Sequence, residues 1–406
     1  MNESLDGFIR DVLPHDDDVE VPSAPSVVVG AFTPGAGLGS LPGHAVQSLI
    51  AHGGMGKVYR ATQHALEREV AVKVMTSLAQ SPETAERFRR EALILGRLAH
   101  PNIVPVYDVG MDDEGQPFYT MKLVKGRTLQ AILTDLSTGD AGALQQHPMV
   151  SLLTVFRKIC DALAFAHSQG VLHRDLKPEN IMVGEFGEVL VMDWGLAKII
   201  KEEEGKMKED PPPPRDSVSS FILHPSSFSG TLQGSVIGTP QYMSPEQAMG
   251  LVDELDERSD IFSLGGIFYA ILTLRAPVDG KTLSDILRKV KSGSITSPLI
   301  FSATLSKAQP RATGAVPEAR LSSRLPHLPG GRVPAALSAV AMQALALDKA
   351  GRYQSVAALI ADIGAYQGGC GMRAAAACFI RCSEQTMRRG WQAAIPCLVN
   401  SSLPVG

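Results

Sequence analysis

The chain has 406 residues with a formal net charge of −4, 44% hydrophobic and 20% charged residues, enough for a sizeable core and for two or three domains. That balance excludes a strongly basic nucleic-acid binder and a protein drawn by charge to an anionic membrane surface, and no apolar run approaches the ~20 residues of a membrane span. Four of the five cysteines, Cys370, Cys378, Cys382 and Cys397, crowd the last stretch, at spacings that match neither a disulfide framework nor a zinc site.

In chain order, residues 1–43 read as a disordered leader: acidic at the start, then Pro- and Gly-rich, without periodicity. The start also lacks the basic and apolar regions of a secretion signal, so the expected location is cytoplasmic. From His44 short β patterns begin. Val46–Ala51 and Lys57–Ala61 read as strands around the turn His52-Gly53-Gly54-Met55-Gly56, and Arg68–Met75 as a third strand carrying Lys73. Glycines let a backbone approach a phosphate closely, so this hairpin is a candidate nucleotide cover. Ser81-Pro82 opens a helix with N-terminal chemistry; Phe88, Ala92, Leu95 and Leu98 recur at helical spacing, and Glu91 lies among them. Residues 101–108 and 117–121 read as the last strands of a five-stranded sheet, and Lys122-Leu123-Val124 as a connection to a second region expected to be helical throughout. There Val150–Ser168 is an amphipathic helix, and Arg258–Leu274 is apolar nearly all round, hence central. Two more amphipathic helices close the pattern by Tyr366, and residues 367–406 form a tail without sustained period.

The densest chemistry is the stretch VLHRDLKPENIMV, 171–183, followed by Val191-Met192-Asp193-Trp194-Gly195. The transfer of a phosphoryl group needs little covalent help and much positioning of charge. Asp175 can accept a hydroxyl proton, Lys177 can sit against phosphoryl oxygens, and Asn180 and Asp193 are hard oxygen donors suited to Mg²⁺. The apolar runs 181–183 and 189–192 predict a hairpin that brings Asn180 and Asp193 to one end.

H-R-D-L-K-P-E-N followed by D-W-G resembles the catalytic loop and metal-binding turn of eukaryotic-like serine/threonine protein kinases of bacterial type. The motifs stand in that family's order: a Gly-rich hairpin, V-A-V-K, a helix glutamate, H-R-D, D-W-G, S-P-E, Asp260 and Arg352. The phrases GGMGKVYRA and GTPQYMSPEQA resemble bacterial members, and the resemblance covers residues 44–366. Two positions depart from it: Ala51 replaces the first glycine, and Trp194 the usual Phe.

The resemblance implies an α+β, two-lobed fold. A small N-terminal lobe (about 44–125) would hold a five-stranded antiparallel sheet and one helix; a larger helical lobe (about 126–366) would include an activation segment, 193–246. It implies ATP and Mg²⁺ as cofactors. The nucleotide would lie against Ile50, Gly53, Gly54, Gly56, Val58, Ala71, Lys73, Met121 and Leu123, and Asn180 and Asp193 would hold the metal. Catalysis would rest on Asp175, Lys177, Lys73 paired with Glu91, and Thr239 bridging Asp175 and Lys177. Asp260 would tie the central helix to the H-R-D turn, and Glu246 would pair with Arg352. The implied partners are protein substrates with Ser/Thr acceptors, the chain itself in trans among them. Between Gly195 and Gly238, a Pro- and Ser-rich run offers Thr231 and Ser235 as phosphorylation sites that Arg174 could receive. A pseudokinase scaffold is the alternative, with only Ala51 and Trp194 in its favour; a small-molecule phosphotransferase is a third reading, against which the S-P-E segment speaks.

Overall fold

The computed structural model describes residues 40–52, 56–75, 82–199, 240–303 and 325–368. Strands β1 (His44–His52), β2 (Gly56–Gln63) and β3 (Arg68–Met75) are followed by helix α1 (Pro82–Arg97) and by β4 (Val106–Met111) and β5 (Pro117–Lys122). The strands form one antiparallel sheet in the order β1-β2-β3-β5-β4. Period-two alternation along β3 explains the layering. Val70, Val72 and Val74 point to an outer core with Tyr59, Ala61, Phe118 and Leu41. Ala71 and Met75 point the other way, into the main core with Phe88, Ala92, Leu95, Tyr119 and Met121. Lys73 shares that inward parity, so the strand turns it toward α1. Leu41, within the expected leader, is 3% exposed and packs in the outer core.

The expected strand at 101–108 is displaced. Residues 101–105 form a turn in which Ile103 bridges Val191, and β4 begins only at Val106. Pro101 and Pro105 account for the shift, since neither supplies an N–H for a ladder.

The second lobe is helical, with exceptions. After β6 (Gly126–Thr128) come α2 (Leu129–Thr138), α3 (Ala141–Gln146), α4 (Met149–Ser168), β7 (Val171–Leu172), β8 (Ile181–Gly184), β9 (Val189–Val191) and β10 (Lys198–Ile199). They are followed by α5 (Pro245–Ala248), α6 (Glu257–Thr273), α7 (Leu283–Ser292), α8 (Ile300–Ala303), α9 (Ala335–Ala344) and α10 (Val356–Gln367). Of the small sheets β6-β8-β9 and β7-β10, the β8–β9 hairpin is the expected one, while β6, β7 and β10 correct the expectation of a region helical throughout; strands of two or three residues are too short to carry a period. Helix α6 is buried from Ser259 to Thr273, as a helix apolar all round must be. A Cβ on Gly265 would stand 2.7 Å from the Cβ of Ala344, so the glycine is what lets α9 lie against α6.

Candidate active site

The apolar stripe of α1 runs through Phe88, Ala92 and Leu95, and Glu91 occupies the same face at helical spacing. Its side chain is 1% exposed, a burial that a lone carboxylate does not tolerate. Lys73 Nζ answers it, donating to Oε1 at 2.9 Å and Oε2 at 2.8 Å. Burial alone would push the Lys73 ammonium toward neutrality, but the charges of Glu91 and Asp193 outweigh it and raise its pKa above the ordinary lysine value. The lysine is therefore a permanent cation beside the site.

Around it the sheet places the expected nucleotide-lining residues in one layer. Val58 pairs with Lys73 across β2 and β3, and Ala71 with Met121 across β3 and β5. Ala71 and Met121 are each 5% exposed, and Val58 and Leu123 are partly buried against the same core. Ile50 lies on β1, where the ladder to β2 shifts between Leu49 and Ala51, and stays 43% exposed. Gly56 opens β2 where a Cβ would meet the Val74 carbonyl oxygen at 2.4 Å, so this position admits no side chain. Gly53 and Gly54 lie outside the described residues.

The H-R-D loop supplies the other expected residues. Lys177 Nζ donates to Asp175 Oδ2 at 2.7 Å. Asn180 Nδ2 donates to the Asp175 backbone oxygen at 2.8 Å and to Oδ2 at 3.2 Å, which leaves the carboxamide oxygen as its donor to a cation. Although burial works against the Lys177 charge, Asp175 outweighs it and raises the pKa. Ile181 pairs with Val191, so the hairpin sets Asn180 and Asp193 at the same end, as expected. Thr239 lies outside the described residues.

Two residues hold this loop in strained backbone. Arg174 has φ 71° and Asp193 φ 59°, left-handed values that a non-glycine residue keeps only when its surroundings impose them. Asp260, 1% exposed on α6, imposes the first. It accepts the His173 and Arg174 N–H groups at 2.9 Å each, and its Oδ2 also meets His167 Nε2 at 2.9 Å. Despite full burial, which opposes the charge, these donors depress its pKa below the usual carboxylate value. His173 holds the second site to the first. Its Nδ1 accepts the Asp175 N–H at 3.2 Å, so Nε2 carries the proton and donates to the Met192 carbonyl at 3.0 Å.

The sequence that builds this site matches a known family. Residues 44–320 match the family model described as protein kinase domain. The chain belongs to the protein kinase family. Among curated proteins it is 36% identical over 329 residues to the serine/threonine-protein kinase PknD of Protochlamydia amoebophila, covering 79% of this chain and 29% of that protein. It is 36% identical over 313 residues to PknD of Chlamydia trachomatis serovar D (76% of this chain, 30% of that protein), and 35% identical over 320 residues to PknD of Chlamydia caviae (78% and 30%). The chain thus spans about 30% of the length of these relatives.

Both departures from the kinase pattern are accommodated locally. Trp194 is fully buried, its ring centroid 4.6 Å from that of His173 and its Nε1 3.4 Å from the Val191 oxygen. Ala51 pairs with Val58 in β1 and is not among the residues of positive φ, so a methyl group costs no strain there. The kinase ties expected farther away also form. Arg352 Nη1 and Nη2 donate to Glu246 Oε1 and Oε2 at 2.8 and 2.9 Å.

Sequence reasoning passed over three contributors. Gln247 donates from Nε2 to the Arg174 carbonyl at 2.7 Å, His167 supports Asp260, and the Tyr119 hydroxyl donates to Glu91 Oε1 at 2.9 Å. Each works across 28 residues or more, and no local spacing reports such a bond. The one available signal was a histidine and a tyrosine at positions that share a face with apolar residues, His167 with Leu163 and Cys160 and Tyr119 with Met121. No helix among the described residues is long and apolar enough to cross a membrane.

Proposed function

We propose that this chain transfers the γ-phosphoryl group of ATP to Ser/Thr hydroxyls of proteins. The observation that carries the reading is the closed pair of Lys73 and Glu91 at 2.8 Å facing a loop where Asp175, Lys177 and Asn180 are already hydrogen-bonded to one another. Binding would rest on the apolar layer of Val58, Ala71, Met121 and Leu123 for the base, with Lys73 against the α- and β-phosphates. Asn180 and Asp193 suit Mg²⁺, which takes one or two protein oxygens and otherwise keeps water and phosphate; when bound, the ion neutralises charge on the phosphates. Lys177 would stabilise charge on the transferred group. Asp175 would orient the acceptor hydroxyl and take its proton as the oxygen bonds to phosphorus, a general-base role for which its partly exposed carboxylate is placed.

Autophosphorylation of the 200–239 segment, at Thr231 or Ser235, belongs to the same proposal. Its support is Arg174: the guanidinium Nε is buried with no hydrogen-bond partner among the described residues, and burial, with Arg90 and Arg87 nearby, lowers its pKa although the Asp260 carboxylate opposes them. A phosphate would satisfy the open donor through charge-assisted bonds. Thr239 as a bridge and a cytoplasmic location are parts of the proposal that rest on sequence; the leader expected at 1–43 and the tail expected at 367–406 lie, but for residues 40–43 and 367–368, outside the described residues.

Radiolabelled ATP, a generic basic protein substrate and phosphosite mapping test it. Labelled Ser/Thr should appear with wild type and disappear with Asp175→Ala; equal labelling by the two proteins rejects the mechanism. Phosphate found nowhere between 196 and 239 rejects the autophosphorylation.

A further inference from the structure

The Glu91 carboxylate accepts three hydrogen bonds, two from Lys73 and one from the Tyr119 hydroxyl. The two donors arrive side by side because β3 and β5 pair Lys73 directly with Tyr119. They differ in freedom. Lys73 keeps 14% of its side chain exposed, on the side where phosphates would bind, and a flexible ammonium can be shared with a second anion. Tyr119 is 1% exposed, and its ring is wedged against Phe88, centroids 5.2 Å apart, one turn before Glu91 on α1. Burial drives the phenol pKa well above its ordinary value, so the hydroxyl remains a donor throughout the working range. Core packing accounts for the ring. It does not account for the hydroxyl, since phenylalanine would fill the same space.

We infer that Tyr119 is a positioning residue for the lysine: through Glu91 its hydroxyl tethers α1 to the sheet, and so keeps the carboxylate in place while Lys73 divides its charge with a nucleotide. Without the tether, the only bond from the sheet to this carboxylate would come from the same ammonium that the phosphates compete for. The kinetic part of the inference rests on the proposed phosphoryl transfer; the tether itself does not.

The test uses the full chain, with Tyr119→Phe, which keeps the ring, and with 4-aminophenylalanine at 119, which restores a donor. Amide hydrogen exchange is followed across α1 and across α6, beside ATP kinetics. In Tyr119→Phe, exchange between Phe88 and Leu95 should accelerate by about fivefold or more, with α6 unchanged, because only local opening is eased. Both kcat and kcat/KM for ATP should fall about tenfold, the size of one hydrogen bond to a charged group, with little change in KM. The amino variant should recover both to within about twofold, and in a Glu91→Ala background Tyr119→Phe should change neither. Unchanged exchange across α1, acceleration that includes α6, or an undiminished kinetic effect in the Glu91→Ala background each overturn the inference. If wild type transfers no phosphate, the phosphoryl-transfer reading fails on its own, and the exchange measurement still decides the tether.

Discussion

Each lobe buries a glutamate against a permanent cation, and the two pairs are built for opposite ends. In the helical lobe Arg352 presents a fork to Glu246, meeting both oxygens at 2.8 and 2.9 Å. The same guanidinium also donates to the carbonyls of Ala346, Arg258 and Leu347, and Ser259 donates to Glu246 Oε1 at 2.6 Å. Its side chain is 0% exposed. In the small lobe Lys73 offers a single ammonium whose hydrogen bonds among the described residues all go to Glu91, and 14% of its side chain stays exposed. A planar fork with every donor engaged fixes geometry, whereas a point charge on a flexible stem can change partners. Thus the pair in the helical lobe is overdetermined, and the pair proposed to meet a nucleotide keeps part of its ammonium exposed. The first also joins segments 106 residues apart, beyond the matched family region that ends at 320, so the last helices are structurally part of the lobe.

The largest effect should come from breaking the fixed pair. Arg352→Met removes the charged partner of the Glu246 carboxylate, leaving it the Ser259 hydroxyl, and takes the guanidinium from three backbone carbonyls; it should destabilise by about 3–5 kcal/mol, read as a lowered midpoint in denaturant unfolding. A midpoint within experimental error of wild type would deny the pair its structural role. Lys73→Met should do the reverse. The loss of one preorganised charge should lower kcat about 10²–10³-fold, while unfolding changes by no more than about 1–3 kcal/mol, since Tyr119 still donates to Glu91. Equal damage to stability by the two substitutions would erase the distinction.

Acid sharpens the comparison further. Although burial opposes its charge, Arg352 and Ser259 hold the Glu246 pKa below its ordinary 4.5. A carboxyl whose folded pKa is depressed contributes stability that is complete above the unfolded value and fades as pH falls through the folded one. Wild type should therefore lose stability steeply below about pH 4.5, and Arg352→Met, having lost the stabilised carboxylate already, should show a shallower acid limb. Asp260, depressed likewise by His167 and the loop amides, adds to the same limb in both proteins. Parallel limbs would assign the acid sensitivity to Asp260 and its neighbours alone.

How far the sequence led follows the same division. Elements carried by local periodicity were legible: β3 as Arg68–Met75, α1 from Pro82, α4 and the all-apolar α6. So was the hairpin that brings Asn180 beside Asp193, because apolar runs flank a polar turn. Glu91 could be singled out as an acid on an apolar stripe, and its partner came from resemblance. What escaped was short or distant. The strands β6, β7 and β10 are two or three residues long, too brief for a period, and the start of β4 was misplaced across two prolines. The Tyr119 hydroxyl, the proton position on His173 and the Gln247 bond to the catalytic loop are products of tertiary contact, which spacing along a chain does not encode.

The smallest effect belongs to a third kind of pair, and it bounds the argument from below. Lys122 at the end of β5 meets Glu188 in the β8–β9 turn at 2.6 Å, so that, like the buried pairs, it joins distant segments. Its side chains are 37% and 34% exposed, and water competes for both charges. Exposed ion pairs contribute about 0–1 kcal/mol, less as salt rises. Glu188→Gln should therefore shift unfolding by under about 1 kcal/mol and leave phosphoryl transfer within about twofold of wild type, with the difference vanishing in 1 M salt. A larger loss that persists in salt would mean that the link between lobes, and not burial, sets the worth of these pairs, and the contrast between Lys73 and Arg352 would then need another cause.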